Sequence, residues 1–247
     1  DNLIFMNNVP IGIRDFLPQE VQQRFQIVNQ MVQYFESKSF ERIITPTVEY
    51  YEHLEPALGK EMQKHCISFI DNTGTRMVLR PDHTAAIARI VSSRLFDKLP
   101  VKLFYYDPVF RTNQALGENE VFQFGCEHIG NVSLTDEAEI ISFIIECCYK
   151  VGIMDVEVHL SHSDLFMDFS SEDIDAFKQG TFLRHDTLPL RVPIHEFTHL
   201  NYFQTLAKQM TNYKNIYINS GLYKDPSYYN GVYFDIVSPR LGKVLGS

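Results

Sequence analysis

VKLFYYDPVFRTNQALGENEVFQFGCEHI, running from Val101 to Ile129, is the stretch on which the fold turns. Val101 to Tyr106 and Val121 to Ile129 are apolar and rich in aromatic residues, the composition of strands. Between them lies a polar loop, Arg111 to Glu120, that contains Gly117. The loop is too long for a tight two-residue hairpin, so the spacing predicts an antiparallel pair with an extended connection.

Working outward, the elements on either side alternate between helix and strand. Val21, Phe25, Val28, Met31, Val32 and Phe35 recur at helical spacing behind Pro18, which predicts an amphipathic helix from Pro18 to Ser37. Phe40 to Val48 is β-branched but carries Pro46, which has no amide donor and points to a strand edge, strand end or interface. Cys66–Ile70 and Thr75–Leu79 read as strands around the turn Asp71-Asn72-Thr73-Gly74, and Asp82 to Leu95 returns to helical spacing. Thr135-Asp136-Glu137 opens a helix whose acidic first turn suits the helix dipole. A strand at Val156–Leu160 follows, then helices near Ser171–Lys178 and Glu196–Thr211, then strands at Ile216–Ile218 and Gly231–Val237. Antiparallel strand pairs separated by helices define an α+β domain with a mixed, mainly antiparallel sheet.

Composition narrows the function. The 247 residues carry 22 Lys+Arg against 31 Asp+Glu, a formal net charge of −9, which counts against a nucleic-acid-binding face. No run approaches the length of a membrane span, and Asp1 to Arg14 lacks the layout of a secretion signal, so a cytoplasmic protein with no membrane partner is expected. Cys66, Cys126, Cys147 and Cys148 form no CxxC pair and are expected to be reduced, mostly buried thiols. Neither GxGxxG nor GxxxxGK[ST] occurs, which leaves a Rossmann or P-loop phosphate cradle unsupported, and no cofactor is expected.

One short string invites a metal reading. His195-Glu196-Phe197-Thr198-His199 spells HExxH, which on a helix sets two imidazoles one turn apart to bind zinc. No glutamate follows Glu196 to serve as third ligand, which leaves only Asp225 and Asp235 as possible oxygen ligands; Tyr202 and Thr205 stand where the extended motif needs Gly and His, and Pro193 puts the first histidine in a first helical turn. The expectation is an amphipathic helix start with surface histidines and no bound metal.

A second, dispersed set of strings carries more. Leu79-Arg80-Pro81-Asp82-His83-Thr84 resembles the LRPEGT string of histidyl-tRNA synthetases, and Phe110-Arg111 is similar to the motif 2 arginine of class II synthetases. Phe122-Gln123-Phe124-Gly125-Cys126-Glu127 resembles that family's QLGCE, and Tyr228-Tyr229-Asn230-Gly231 its YYNG. IGIRDFLP near the start and the strand with Pro46, in the place of motif 1, agree in order and spacing. The resemblance covers nearly the whole chain and implies a class II synthetase-like core over 1–247, with 161–215 as the place of a small helical insertion. It also implies a dimer through motif 1.

Carried over by position, the resemblance places Asp82, Thr84, Gln123 and Glu127 around the amino and imidazole groups of a bound histidine. Arg111 would face the carboxylate, Tyr228 and Tyr229 would wall the ring, and Lys224 is an added candidate for the carboxylate. The chemistry fits independently, because a zwitterion with two ring nitrogens needs carboxylates for its N–H groups, a guanidinium for its carboxylate and aromatic walls. None of these residues is assigned a catalytic role.

The departures from the family bear on ATP. The loop after Arg111 is shorter than the family's and lacks its basic residues, and Glu118 and Glu120 would repel a triphosphate. Lys224-Asp225-Pro226-Ser227 replaces RGLD, so a lysine without a planar fork of donors stands for the arginine. The chain stops at Gly246-Ser247, where synthetases continue into motif 3 and an anticodon-binding domain, and no such domain is expected in it. A histidine pocket with impaired ATP chemistry resembles the family of ATP phosphoribosyltransferase regulatory subunits, paralogues of histidyl-tRNA synthetases. That resemblance implies a non-catalytic partner of the short catalytic subunit in a hetero-oligomer, with L-histidine as feedback effector of the first step of histidine biosynthesis. The rival reading is an active truncated histidyl-tRNA synthetase-like enzyme or amino-acid ligase.

Overall fold

The computed structural model describes residues 9–112, 117–167, 169–178, 191–224 and 229–246. The chain divides into two units, Asp1–Val132 and Ser133–Ser247, each with its own sheets.

The first unit runs α1 (Pro18–Ser37), β1 (Glu41–Arg42), β2 (Val48–Tyr50), α2 (Tyr51–Leu54), α3 (Lys60–Lys64), β3 (Ser68–Ile70), β4 (Arg76–Leu79), α4 (Thr84–Ile90), β5 (Val101–Phe110) and β6 (Glu120–Ile129). β5 and β6 pair antiparallel in register from Val101 opposite Ile129 to Phe110 opposite Glu120, and β1 adds in parallel on the far side of β5. β5 therefore runs four residues past its expected end at Tyr106. Alternation along a strand then sorts the side chains onto two faces. Phe104, Tyr106, Phe122 and Phe124 stack on one face, and Phe35 of α1 packs on them with ring centroids 5.2 Å from Phe104 and 4.8 Å from Phe124. Leu103, Tyr105 and Asp107 share the opposite face with Glu127, Gly125 and Gln123.

α1 has the expected bounds, but of its apolar stripe only Phe35 is buried, while Val21 and Phe25 are exposed. The strand expected over Phe40–Val48 is broken into β1 and β2, which lie in different sheets. Pro46 sits in the break, and the backbone there bonds to Arg80 in place of a strand neighbour: Thr45 O accepts from Arg80 Nη1 at 2.6 Å and Thr47 O from Arg80 N at 2.9 Å. β2, β4 and β3 form an antiparallel sheet whose β3–β4 turn is closed by the Asp71 carboxylate, which accepts from the amides of Thr73 and Thr75 at 2.8 Å. The helix expected over Asp82–Leu95 starts at Thr84 and gives way at Val91 to a π turn, then a 3₁₀ turn. Ser92 and Ser93 donate their hydroxyls to Arg89 O, competing with the regular ladder.

The second unit runs α5 (Leu134–Lys150), β7 (Glu157–His162), α6 (Ser171–Lys178), β8 (Val192–Pro193), α7 (Asn201–Gln209), β9 (Ile216–Ile218), β10 (Val232–Ser238) and β11 (Lys243–Gly246). Ser133 caps α5: its hydroxyl and amide donate to Asp136 Oδ2 at 2.6 and 2.8 Å, and the hydroxyl oxygen accepts from the Asp136 amide. The sheet order is β11-β10-β7-β9-β8, antiparallel except for β7 with β9. Ile141 and Ile145 of α5 bury against Leu160, Ile218 and Ile236 of the sheet and Phe203 and Leu206 of α7. The two-residue β8 and the terminal β11 give no periodic signal long enough to read in the sequence.

The helix expected over Glu196–Thr211 starts only at Asn201. Ile194–Glu196 forms a 3₁₀ turn, and Phe197 then turns extended and buries its ring. His195 and His199 are therefore not one α-helical turn apart, which is the spacing the zinc reading of HExxH needs. Residues 179–190, in the segment read as an insertion, lie outside the described residues. Cys147 and Cys148 are buried, Cys66 and Cys126 partly so, and none of the four is in a disulfide among the described residues. Among the described residues no helix is long and apolar enough to cross a membrane.

Candidate functional site

Four of the residues singled out in the sequence meet on the first unit. Asp82, at the turn between β4 and α4, accepts the Thr84 amide at 2.7 Å on Oδ1, and its Oδ2 lies 3.5 Å from Arg111 Nη2. Arg111 Nε donates to Pro81 O at 2.5 Å. Thr84 Oγ1 donates to Glu127 Oε1 at 2.8 Å, joining the start of α4 to β6. Phe110 N donates to Arg80 O at 3.0 Å, which holds the end of β5 beside the same turn. Gln123 lies on the face of β6 that carries Glu127, and its Oε1 is buried with no hydrogen-bond partner among the described residues.

Burial, with the Asp82 carboxylate nearby, pushes the Glu127 carboxyl up to about 7, against the hydrogen bond from Thr84, which favours the ionised form. The folded state thus binds this proton more tightly than the unfolded chain. Stability from this group is fully present below about pH 4.5, its unfolded value, and is lost as pH rises through about 7. Glu127→Gln is therefore expected to leave stability nearly unchanged near pH 4.5 and to raise it by about 1–3 kcal/mol above pH 7, read from denaturant melts at the two pH values.

Sequence reading missed the groups that hold this site in place. Arg80 is buried and donates Nε to Pro108 O at 2.7 Å and Nη1 to Thr45 O, so one guanidinium ties β4, β5 and the Pro46 segment together. Burial lowers its pKa, while the charges of Asp107 and Glu49 oppose the shift. His83, fully buried, stacks on Tyr105 at 4.1 Å, and its Nδ1 meets Thr45 Oγ1 at 3.1 Å. Burial and the Arg80 charge lower its pKa, favouring the neutral ring. The only signal for either was position: both sit inside the string that carries Asp82 and Thr84.

Gly125 has a steric reason. A Cβ there would overlap the Tyr105 hydroxyl and ring, and Tyr105 cannot swing away because it is buried and stacked on His83. Gly125→Ala is expected to cost about 1–3 kcal/mol of unfolding free energy in a denaturant titration.

The other candidates fall on the second unit. Lys224 Nζ lies 3.7 Å from Asp235 Oδ1 and 5.5 Å from the Tyr229 ring centroid. Tyr229 in turn approaches Tyr233 at 6.2 Å. Tyr228 lies outside the described residues.

Helices packed on mixed, mainly antiparallel sheets, with an arginine just past the end of one long strand facing the Asp82 carboxylate before α4, make this a class II aminoacyl-tRNA synthetase-like fold. Residues 12–185 match the family model described as histidyl-tRNA synthetase, and the chain belongs to that family. Over 159 residues it is 36% identical to an ATP phosphoribosyltransferase regulatory subunit of Halothermothrix orenii, covering 63% of this chain and 38% of the relative. Over 163 residues it is 33% identical to a histidine–tRNA ligase of Methanocaldococcus jannaschii, covering 65% and 39%. The chain thus spans about four-tenths of the length of these curated relatives. A solved Bacillus halodurans structure, described as an ATP phosphoribosyltransferase regulatory subunit/histidyl-tRNA synthetase, superposes with a TM-score of 0.81 at 27% identity, covering 98% of this chain and 75% of that one.

Proposed function

We propose that this chain is the synthetase-like part of an ATP phosphoribosyltransferase regulatory subunit, which binds L-histidine and is not itself a catalyst. Relatives with the regulatory and the ligase names match at similar identity, so the choice between them rests on residues. The observation that carries it is the contrast around Arg111. The Asp82–Thr84–Glu127 constellation that suits an amino acid is intact, while the loop after Arg111 offers Glu118 and Glu120 where a triphosphate needs cations. In the second unit Lys224 shares its charge with Asp235, which further weakens it as a phosphate ligand.

In this reading Asp82, Thr84, Gln123 and Glu127 take the N–H groups of histidine, Arg111 and Lys224 its carboxylate, and Tyr228 and Tyr229 its ring. The domain reading is part of the proposal: a synthetase-like core over 1–247, with a small helical insertion at 161–215. The catalytic partner is the short-form subunit, in a hetero-oligomer located in the cytoplasm. The exposed apolar residues Val21 and Phe25 on α1, Leu17 just before it and Ile44 near Pro46 support self-association as a homodimer. Feedback is then a coupling between two sites: histidine binds one conformation of the complex more tightly than another, by ~1–3 kcal/mol for a usual allosteric factor. Histidine-dependent ATP–pyrophosphate exchange tests it against the ligase reading. No exchange by the purified chain, together with its co-purification with the short catalytic subunit, is the expected result, and measurable exchange would overturn the proposal.

A further inference from the structure

We propose that Asp107, together with Gln123, holds the ammonium group of the ligand and so selects an amino acid over its des-amino analogue. The inference rests on the histidine reading above and extends it to a residue on which that reading is silent.

Asp107 and Gln123 are register partners in β5 and β6, so their side chains stand side by side on the face that also carries Tyr105, Gly125 and Glu127. Each has a side-chain oxygen shielded from water and without a hydrogen bond among the described residues: Asp107 Oδ2 and Gln123 Oε1. Buried acceptors are normally paired, and two adjacent ones left open on one face call for a donor-rich group.

The hydrogen bonds of the nearest charged donors and of His83 go elsewhere. The guanidinium of Arg80 lies close enough for its charge to feel Asp107, but the hydrogen bonds it makes go to Pro108 O, Thr45 O and Thr45 Oγ1. Arg111 is held by Pro81 O and Asp82. His83 Nε2 meets the backbone oxygen of Asp107 at 3.4 Å, not its carboxylate, and this contact brings β5 at Asp107 against the 82–84 turn. Asp82, in that turn, is the third acceptor of the proposed subsite. An ammonium carries three donors and one positive charge, which matches one amide oxygen and two carboxylates. A carboxylate or phosphate would be repelled by the two carboxylates.

The test is calorimetric titration of the full chain and of Asp107→Asn, an isosteric change, with L-histidine, L-histidinol and imidazolepropionate. The first two keep the ammonium and the third lacks it. Asp107→Asn is expected to weaken histidine and histidinol by about tenfold or more, the scale of one charge-assisted bond, and to change imidazolepropionate by no more than about twofold. Should Asp107→Asn fail to fold, Asp107→Ser reads the same ratio. Equal losses for all three ligands, or no loss for histidine, would overturn the assignment. An unsubstituted chain that binds no histidine would overturn the underlying reading, and the assignment with it.

Discussion

Glu127→Ala is expected to lower the affinity for histidine by about 100-fold or more, enough to abolish a measurable isotherm and to relieve inhibition in the reconstituted complex. In the proposed site Glu127 is the carboxylate facing a cationic or N–H-bearing group of the ligand. It is partly buried and already held at the right height by Thr84 Oγ1. Because burial pushes its carboxyl up to about 7, the ionised form above that pH is a poorly solvated charge, and a positively charged partner both attracts it and offsets that lost solvation. Truncation to alanine removes both contributions, which is why the expected loss exceeds that of a single neutral hydrogen bond. Calorimetry of the variant against the parent at pH 8 checks it, and unchanged binding would remove Glu127 from the site.

The largest effect on stability is expected at Arg80. Arg80→Met keeps most of the side-chain volume but removes a buried cation, and should cost about 3–5 kcal/mol. The loss has two sources. The carbonyls of Thr45 and Pro108 lose their donors inside the protein, and the charges of Asp107 and Glu49 lose a neighbour that offsets them. Arg80→Lys should recover only part of this, since a single ammonium cannot reach both carbonyls in the geometry of the guanidinium. Denaturant unfolding of the two variants gives the comparison, and a loss under about 1 kcal/mol for Arg80→Met would contradict this account of the first unit.

How much of this was legible in the sequence follows from which forces act locally. α1, β9 and α6 have the bounds that periodicity predicts, because apolar spacing and the position of Pro18 are local signals. The Phe40–Val48 stretch could not be read the same way. Its fate depends on Arg80, more than thirty residues downstream, which takes the carbonyl bonds of Thr45 and Thr47. The late start of α7 has a similar origin: burying Phe197 is a tertiary gain that overrides the helical spacing around it.

The candidate site divides along the same line. Asp82, Thr84, Arg111 and Glu127 were found through short strings, and the hydrogen bonds among them join the residues that those strings single out. Asp107 carried no such signal, since inside FYYDPVF it reads as one polar residue interrupting a strand. Only the β5–β6 register sets it opposite Gln123. Gly125 lies within a motif string, but its reason, the Tyr105 ring lying across it, is a contact between strands.

The measurement that tests the central claim most directly is the initial rate of phosphoribosyl transfer to ATP by the short catalytic subunit, with this chain added and histidine titrated in. The chain is expected to raise the rate and histidine to lower it again, with the Glu127→Ala chain still raising the rate but deaf to histidine. A rate indifferent to the chain, or inhibition by histidine that is the same with and without it, would contradict the account.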